Sequence, residues 1–320
     1  MKNKKGSVIL YILLAFLILI LAFLLYLLYQ YAPSEYQLSN ASIPDATFGT
    51  GNLSYSVKQF YPNMKFNHNR ISYYIEEACD SDKKANMVEA FRLLQEQVSE
   101  IEFYPSSNES DIRVLCTKKV ESSGGRNFFV AGEGGAEQII QTKRYNVITK
   151  GIVLLYGNPH GSLECSWPNV ELHELMHVFG FEHSQDKNSL MYPYLESCEQ
   201  KLDEAIIKSL KELYSQENLP DLYFESVEAV KHGRYLDFNA TIKNSGVIEA
   251  RNIMLSVFDD NEGGESFPLE DIDFGAGVTF SVSNAKLNNR YSGVVKLVID
   301  SDNQIDEIDE KNNIAILEFS

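Results

Sequence analysis

The hydrophobic pattern begins with an uninterrupted apolar run, Val8–Tyr29, whose 22 residues include no charge, proline or glycine. At a helical rise of about 1.5 Å per residue, the run spans roughly 33 Å and can cross a hydrocarbon core. A cleaved signal peptide is the alternative, but its apolar region is about 7–15 residues long and ends in small residues. The greater length and the bulky "YQYAPS" at its end favour an uncleaved transmembrane anchor over residues 6–31.

Two regions that differ in composition and apolar spacing follow the anchor. Residues 32–55 are rich in Ser, Asn, Gly and Pro and predict a stalk. In 56–216, the runs "ISYYIEEA" and "DIRVLC" predict strands, and helical apolar spacing at 83–101 places a helix between them, which favours a parallel pair. A last helix is predicted at 202–215, and the Gly-rich segment 121–137 predicts a flexible surface loop. This domain is therefore expected to be of the α+β class.

The carboxy-terminal part, residues 217–320, alternates apolar and polar positions in about seven short runs that are separated by turn sequences. In "YLDFNATIKN" and "VVKLVID", every second side chain is apolar, which places these side chains on one face of a strand. Seven such strands in about 100 residues predict an all-β, immunoglobulin-like sandwich.

The stretch "ELHELMHVFGFEHS" combines two patterns on one helix and contains three of the chain's six histidines. At about 100° per residue, its apolar side chains form a single core-facing ridge. His173 and His177, four residues apart, project together from another face, and Glu174 points near them. The ridge residues are Leu172, Leu175, Met176 and Phe179.

A zinc ion explains the second face of this helix. Catalytic zinc takes three protein ligands and leaves a fourth position open for water. His183 can supply the third imidazole only if the chain turns back, and Gly180 is the residue type that ends a helix in a left-handed turn. Glycine and a third histidine at fixed offsets make a chance match rare, so surface or core histidines are the weaker interpretation.

The formal net charge is −17, and residues 1–32 carry three lysines and no acid, so the remainder sums to −20 (−17 minus 3). Such an acidic surface argues against nucleic acid and anionic membrane surfaces as partners. Lys2, Lys4 and Lys5 predict that residues 1–5 stay in the cytoplasm and that residues 33–320 lie outside. The expected location is the cell membrane, with a single pass and an extracellular catalytic domain.

The four cysteines form no CxxC pair, and outside the cell an even number predicts two disulfides with three possible pairings. Two strand-like segments end in Cys79 and Cys116, so neighbouring parallel strands favour that pair. Cys165 then remains for Cys198. Four buried thiols are the alternative, which the extracellular compartment disfavours.

The array from His173 to His183, with Glu174 and Gly180 between its histidines, resembles the active-site helix of the metzincin zinc endopeptidases. Met191 in "SLMYPY" looks like their Met-turn. Ser184 after the third histidine and the segment "LMYP" resemble the corresponding residues of the matrixin subgroup. Astacin-like and serralysin-like enzymes have a Tyr ligand two residues after the Met, where this chain has Pro193.

This resemblance covers roughly residues 56–216. It implies a zincin fold, one catalytic zinc ion held by the three histidines, and an S1′ wall formed by Tyr192 and Pro193. It also implies that Glu174 is the general base toward a zinc-activated water. The chain departs from matrixins in two respects: it has no cysteine-switch prodomain, and only His68 and His160 lie upstream for a structural zinc site.

The carboxy-terminal domain resembles CARDB-type adhesion modules in "ATIKNSGVIEARN" and "VIDSDNQIDEIDEKNN". This resemblance makes a cell-envelope or protein partner the expectation for the sandwich. The acidic run 300–310 is a candidate calcium site, although it lacks EF-hand spacing and a solvated turn is favoured.

Together these features predict a membrane-anchored zinc endopeptidase that hydrolyses peptide bonds of extracellular or exported proteins. The alternative is a surface adhesion or scaffold protein with an inactive zinc domain. The intact Glu174 favours the enzyme, because an inactive homologue is free to lose its base.

Overall fold

The computed structural model of the protein describes residues 4–32, 36–43, 58–107, 109–122, 129–157, 167–260 and 262–319. Its helices are α1 (Lys4–Tyr31), α2 (Ser81–Gln97), α3 (Asn169–Val178) and α4 (Glu204–Tyr214). The strands before α3 are β1 (Tyr36–Asn40), β2 (Met64–Phe66), β3 (Arg70–Ile75), β4 (Glu102–Pro105), β5 (Ile112–Cys116), β6 (Glu121–Ser122), β7 (Phe129–Val130), β8 (Gly132–Gln141) and β9 (Asn146–Leu155). The strands after α4 are β10 (Leu222–His232), β11 (Tyr235–Asn244), β12 (Met254–Asp259), β13 (Glu262–Pro268), β14 (Gly277–Lys286), β15 (Val294–Ile299) and β16 (Ile314–Glu318).

Helix α1 contains the apolar run and is the one candidate membrane span in the described part of the chain. The segment Leu10–Tyr31 has 22 residues with a mean hydropathy of 3.0, and none of it is buried against the protein. An apolar helix with this exposure is expected where lipid, not protein, surrounds it. The orientation of α1 across a membrane stays a prediction.

The N-terminal domain, residues 58–216, is a mixed α+β structure built around one sheet. Strand β9 runs parallel to β2 and β5, and β3 runs parallel to both β4 and β5. Strand β8 runs antiparallel to β9 along its whole length and, in the described residues, pairs with no other strand. It therefore forms an antiparallel edge of an otherwise parallel sheet.

The core of this domain lies between the sheet and helices α2, α3 and α4. The ridge predicted on α3 is the part of that helix that enters the core. Leu172, Leu175, Met176 and Phe179 are all fully buried there.

One disulfide joins Cys79 to Cys116, with the two Cα atoms 5.0 Å apart. The expected pairing is confirmed, and its cause is the expected one, because β3 and β5 are neighbouring parallel strands. Cys198 is also disulfide-bonded. Its predicted partner Cys165 lies outside the described residues, as does His160.

The Gly-rich segment 121–137 differs from the flexible loop that its composition predicts. Its described residues include β6 and β7, which pair with each other, and the first half of β8. Glycines are poor strand formers, and they are tolerated in a strand where another backbone approaches closely. In β8 that neighbour is α3.

The sandwich domain consists of the seven predicted strands β10–β16, together with β1. Two sheets, in the orders β1-β10-β11-β14 and β13-β12-β15-β16, bury a common apolar core. Strand β1 comes from the predicted stalk, 32–55, and pairs antiparallel with β10, from Tyr36 opposite His232 to Asn40 opposite Glu228. It covers an edge of β10 that would otherwise expose unpaired backbone groups, so this part of the stalk belongs to the sandwich.

Candidate metal centre

Helix α3 ends in a turn that depends on Gly180. The glycine has φ of +85°, and its N–H donates to His177 O at 2.9 Å. The next residue, Phe181, donates its N–H to Met176 O at 3.1 Å. These two bonds form the Schellman motif, in which a left-handed residue ends the helix and reverses the chain. A side chain at Gly180 would also clash with Met64, because an added Cβ would lie 2.2 Å from its sulfur.

The reversal brings the three predicted ligands together, and we call His173, His177 and His183 the histidine cluster. The Nε2 atom of His177 lies 3.0 Å from that of His173 and 3.2 Å from that of His183. The third pair, His173 and His183, is also 3.2 Å apart. In the described residues, this is the one group of His, Cys, Asp or Glu side chains whose ligand atoms converge in this way.

Backbone carbonyls orient two rings of the cluster. His173 Nδ1 lies 2.7 Å from Leu190 O, and His177 Nδ1 lies 2.7 Å from Phe181 O. A carbonyl accepts only, so each Nδ1 carries the proton and each neutral ring turns its Nε2 lone pair toward the cluster. Burial lowers the pKa of His173 to about 4 and lowers the pKa of the other two rings as well, so all three are neutral at pH 7.

Such an arrangement fits a metal ion and little else. Three ring nitrogens about 3 Å from each other cannot all hydrogen-bond among themselves, because the Nε2 atoms of His173 and His177 are acceptors and His183 can donate at most one proton there. A divalent cation that prefers imidazole satisfies all three at once. The carbonyl bonds to Nδ1 are the second contacts that metal-binding histidines usually make.

Met191 lies in the turn that follows the cluster along the chain and is fully buried. Its carbonyl accepts the N–H of Ser184 at 2.8 Å, and its own N–H donates to Ser189 Oγ at 3.0 Å. The preceding residue, Leu190, provides the carbonyl that orients His173. The turn therefore supports two of the three histidine positions. Tyr192 and Pro193 follow it, the first partly buried and the second exposed.

Glu174 is buried beside the cluster and does not belong to it, since its carboxylate is not among the converging ligand atoms. Burial, with a contribution from the negative charge of Glu133, raises the pKa of Glu174 to about 8. The backbone N–H of Gly134 on β8 acts to lower the pKa of this carboxyl group, but burial outweighs it. The site thus combines three neutral ligands with a buried carboxyl group capable of exchanging a proton.

Sequence reasoning missed the two glycines that make room for Glu174. An added Cβ on Gly134 would lie 2.0 Å from the backbone oxygen of Glu174, and one on Gly132 would lie 2.7 Å from its Cγ. Strand β8 therefore crosses α3 at a distance that only glycine permits. The signal was present as glycines at alternate positions before a strand-like segment, which place both on one face.

The remaining sequence candidates lie apart from this centre. His68 Nε2 lies 3.5 Å from a carboxylate oxygen of Asp111 and joins no metal-ligand group in the described residues. The carboxylate of Asp300, in the acidic run 300–310, accepts the N–H groups of Gln304 and Ile305 at 3.1 and 2.7 Å. Asp300 thus closes a turn, and the described acids of this run form no converging ligand group that supports calcium.

A model of the matrixin family matches residues 52–215, and a model of the CARDB family matches residues 219–316. The CARDB domain of a Pyrococcus furiosus protein, solved in complex with di-metal ions, is 15% identical, with a TM-score of 0.26, 32% of this chain covered and 88% of that one. A domain of a putative cell surface protein from Methanosarcina acetivorans is 16% identical, with a TM-score of 0.27 and coverages of 32% and 92%. No curated protein matches the chain.

Proposed function

The chain belongs to the matrixin family, whose model matches residues 52–215, and from that premise we propose that it is a membrane-anchored zinc endopeptidase. The observation that carries the proposal is the convergence of the histidine cluster next to Glu174. The zincin fold is part of the proposal. It is supported by the antiparallel edge strand β8 and by the active-site helix α3 that crosses it.

His173, His177 and His183 would hold the zinc ion. When bound there, zinc supplies a Lewis acid that polarises the scissile carbonyl and makes a water molecule more acidic. Met191 and its turn keep the histidines in place from behind.

Glu174 is the proposed general base. Its carboxylate takes a proton from the attacking water and passes it to the leaving amine nitrogen, which completes hydrolysis without an additional acid. Gly132 and Gly134 of β8 lie against Glu174, and this close approach excludes bulk water from one side of the carboxylate. An extended peptide is proposed to add to the free edge of β8 as a further strand, with Tyr192 and Pro193 as the wall of the S1′ site.

The proposed substrates are proteins or peptides outside the cell. Helix α1 over residues 6–31 is the anchor, and residues 1–5, with their lysines, are the cytoplasmic tail. Residues 56–216 form the peptidase domain and 217–320 the CARDB-like domain, which is proposed to bind a cell-envelope or protein partner. Residues 32–55 connect them to the anchor, with β1 docked on the sandwich.

The test compares the full chain with Glu174→Ala on a library of unstructured peptides, with bound zinc measured for both proteins. We expect the wild-type chain to cleave, and the variant to lose activity by a factor of about 10²–10⁴, the usual contribution of a general base, while it retains zinc. Equal background cleavage by both proteins would instead favour the scaffold function, in which the zinc domain is inactive.

A further inference from the structure

The turn between β8 and β9 reaches into the sandwich domain. Tyr145 and Val147, at the start of β9, form a buried apolar cluster with Val247 of the sandwich. Ile140, near the end of β8, approaches Gly275 so closely that a Cβ added there would lie 2.5 Å from its Cγ2. The hairpin therefore contacts the sandwich through both of its strands.

Polar contacts fix the same turn. Arg144 Nε donates to Asp221 Oδ2 at 3.1 Å, and Asp221 is fully buried. The same carboxylate accepts Ser245 Oγ at 2.5 Å and Asn312 Nδ2 at 3.0 Å. Because a buried charge is tolerated only when it is paired and hydrogen-bonded, Arg144 cannot leave this position without a large cost.

Two further hydrogen bonds add to these contacts of the β8–β9 turn, which together we call the junction. Thr142 Oγ1 donates to Ser245 O at 2.8 Å, and Tyr145 Oη donates to Gln216 Oε1 at 2.7 Å. The N–H of Tyr145 donates back to Thr142 Oγ1 at 2.9 Å, which closes the turn on itself. The turn is thus held from the sandwich, from Gln216 at the end of the N-terminal domain and from within.

The opposite end of β8 lies at the metal centre, where Gly132 and Gly134 contact Glu174. Between these two ends, β8 pairs with β9 alone among the described strands, and this pairing shifts register twice, between Ala136 and Ile139. Edge strands with bulges and one bonded neighbour are the parts of a sheet that open most easily.

We infer that the sandwich domain is a positioning device for β8, which acts through Arg144 and Asp221 to hold the substrate-binding edge of the cleft in register with Glu174. This inference rests on the proposed peptidase function, and it assigns the sandwich a part in the reaction besides any partner that it binds. Arg144 is a positioning residue: it lies at the end of β8 opposite the metal centre and works through the strand.

The physical consequence differs between substrates. An octapeptide that lies along β8 depends on several strand hydrogen bonds, whereas a substrate with one residue on each side of the scissile bond depends mainly on the metal centre. If the junction opens, β8 should fray from the turn inward and lose the bonds to the longer peptide first.

The experiment measures kcat and KM of the full chain in detergent micelles with both kinds of substrate. For Arg144→Ala we expect the KM of the octapeptide to rise about tenfold, equivalent to ~1.4 kcal/mol. The kinetics of the short substrate and the bound zinc should stay within twofold of wild type. Amide exchange of β8 should become at least tenfold faster, with β3 and β5 unchanged.

Two variants control for simple destabilisation. Val257→Ala truncates a buried residue of the sandwich core away from the hairpin, and it should leave KM and the exchange of β8 unchanged. Tyr145→Phe removes only the hydroxyl bond to Gln216, and it should shift the octapeptide KM in the same direction by about twofold to threefold even if Arg144→Ala does not fold.

The outcomes separate the two proposals. The positioning role is overturned if Arg144→Ala keeps the wild-type KM for the octapeptide and the wild-type amide exchange of β8. It is also overturned if Val257→Ala changes both quantities as much as Arg144→Ala does. A wild-type chain that cleaves neither substrate overturns the peptidase function, and the exchange of β8 then still decides whether the sandwich holds the strand.

Discussion

Two carboxyl groups, one in each domain, have nearly the same burial and very different surroundings. Glu174 is 6% exposed and Glu307 is 8% exposed, and burial raises the pKa of both to about 8. Both carboxylate oxygens of Glu307 are hydrogen-bonded within the sandwich. One accepts the N–H of Leu222 at 2.5 Å, and the other accepts a hydrogen bond from Asn313 Nδ2 at 2.8 Å. Glu174 instead lies beside three imidazole nitrogens that converge on a common point, and the backbone N–H of Gly134 is the group that acts against the rise of its pKa.

The difference shows what a raised pKa means. Burial alone raises the pKa of a carboxyl group, so a raised pKa indicates exclusion of water and does not by itself identify a catalytic group. Glu174 is distinguished by the neighbouring ligand atoms, whose bonding capacity the fold leaves unused. The same degree of burial thus accompanies a proposed catalytic role in one domain and a structural role in the other.

The sharpest test of this contrast is a pair of isosteric substitutions. Glu174→Gln keeps the volume and removes the base, so kcat should fall by about 10²–10⁴. Glu307→Gln should leave kcat within twofold of wild type, since Glu307 is outside the metal centre. Steady-state cleavage of one peptide by both variants measures this difference, and a comparable loss in the two would remove the distinction between the carboxyls.

Metal removal should affect only one of the two regions. A ligand present at a thousandfold over its Kd stabilises the native state by about 4 kcal/mol, so chelation should accelerate amide exchange in α3. Strand β15 of the sandwich should not respond, because the described residues contain no second ligand cluster. His177→Ala should exchange at the chelated rate with or without added zinc, and a response of β15 would count against a single site.

Protonation should also affect the stability of the sandwich. Glu307 holds its proton up to about pH 8 in the folded state, whereas the ordinary value is 4.5. Between these values the folded state binds more protons than the unfolded one, so the sandwich should lose stability as the pH rises from about 4.5 to 8, by ~1.4 kcal/mol per pKa unit at most. Glu310 and Asp221 add to the shift through their negative charges.

Urea unfolding at several pH values, with and without Glu307→Gln, checks this expectation. The variant should flatten the slope across that window. If the slope persists in the variant, another group is responsible for it.

The smallest expected effect concerns the room around Glu174. Gly134→Ala places a methyl group against the backbone of α3, which should destabilise the domain by about 1–3 kcal/mol and lower kcat/KM by roughly tenfold. Gly135→Ala is the matched control, because nothing lies within 4 Å of a Cβ at that position. Thermal unfolding and peptide cleavage of both variants measure the effect, and equal behaviour would show that the close approach does not matter.

The local features of the molecule were predictable from the sequence. The ridge on α3, the spacing of His173 and His177 and the left-handed Gly180 all follow from the geometry of a single helix and its end. The pair of Cys79 and Cys116 was predictable because two strand-like segments end in cysteine. The seven strands of the sandwich were predictable from their alternation.

The nonlocal features could not be predicted in the same way. Glycines contribute no apolar or polar side chain to an alternating pattern, so the sequence of β8 resembles that of a loop. The reason for its glycines is the neighbouring helix α3, which is not evident from the sequence. The polar composition before residue 56 concealed β1, whose partner strand is β10. Arg144 and Asp221 lie in different domains, and the residue spacings that predict contacts within one helix or strand do not apply to such a pair.

The pairing of β1 with β10 has a consequence for biosynthesis. The strand is synthesised directly after α1, but its partner is made only after the whole N-terminal domain. Ser42 also bridges to Ile316, close to the end of the chain. Strand β1 must therefore wait for a partner until the sandwich strands have been synthesised, and closing so long a loop makes this a late step of folding. Completion of this sheet thus requires that the strands at both ends of the described chain are present.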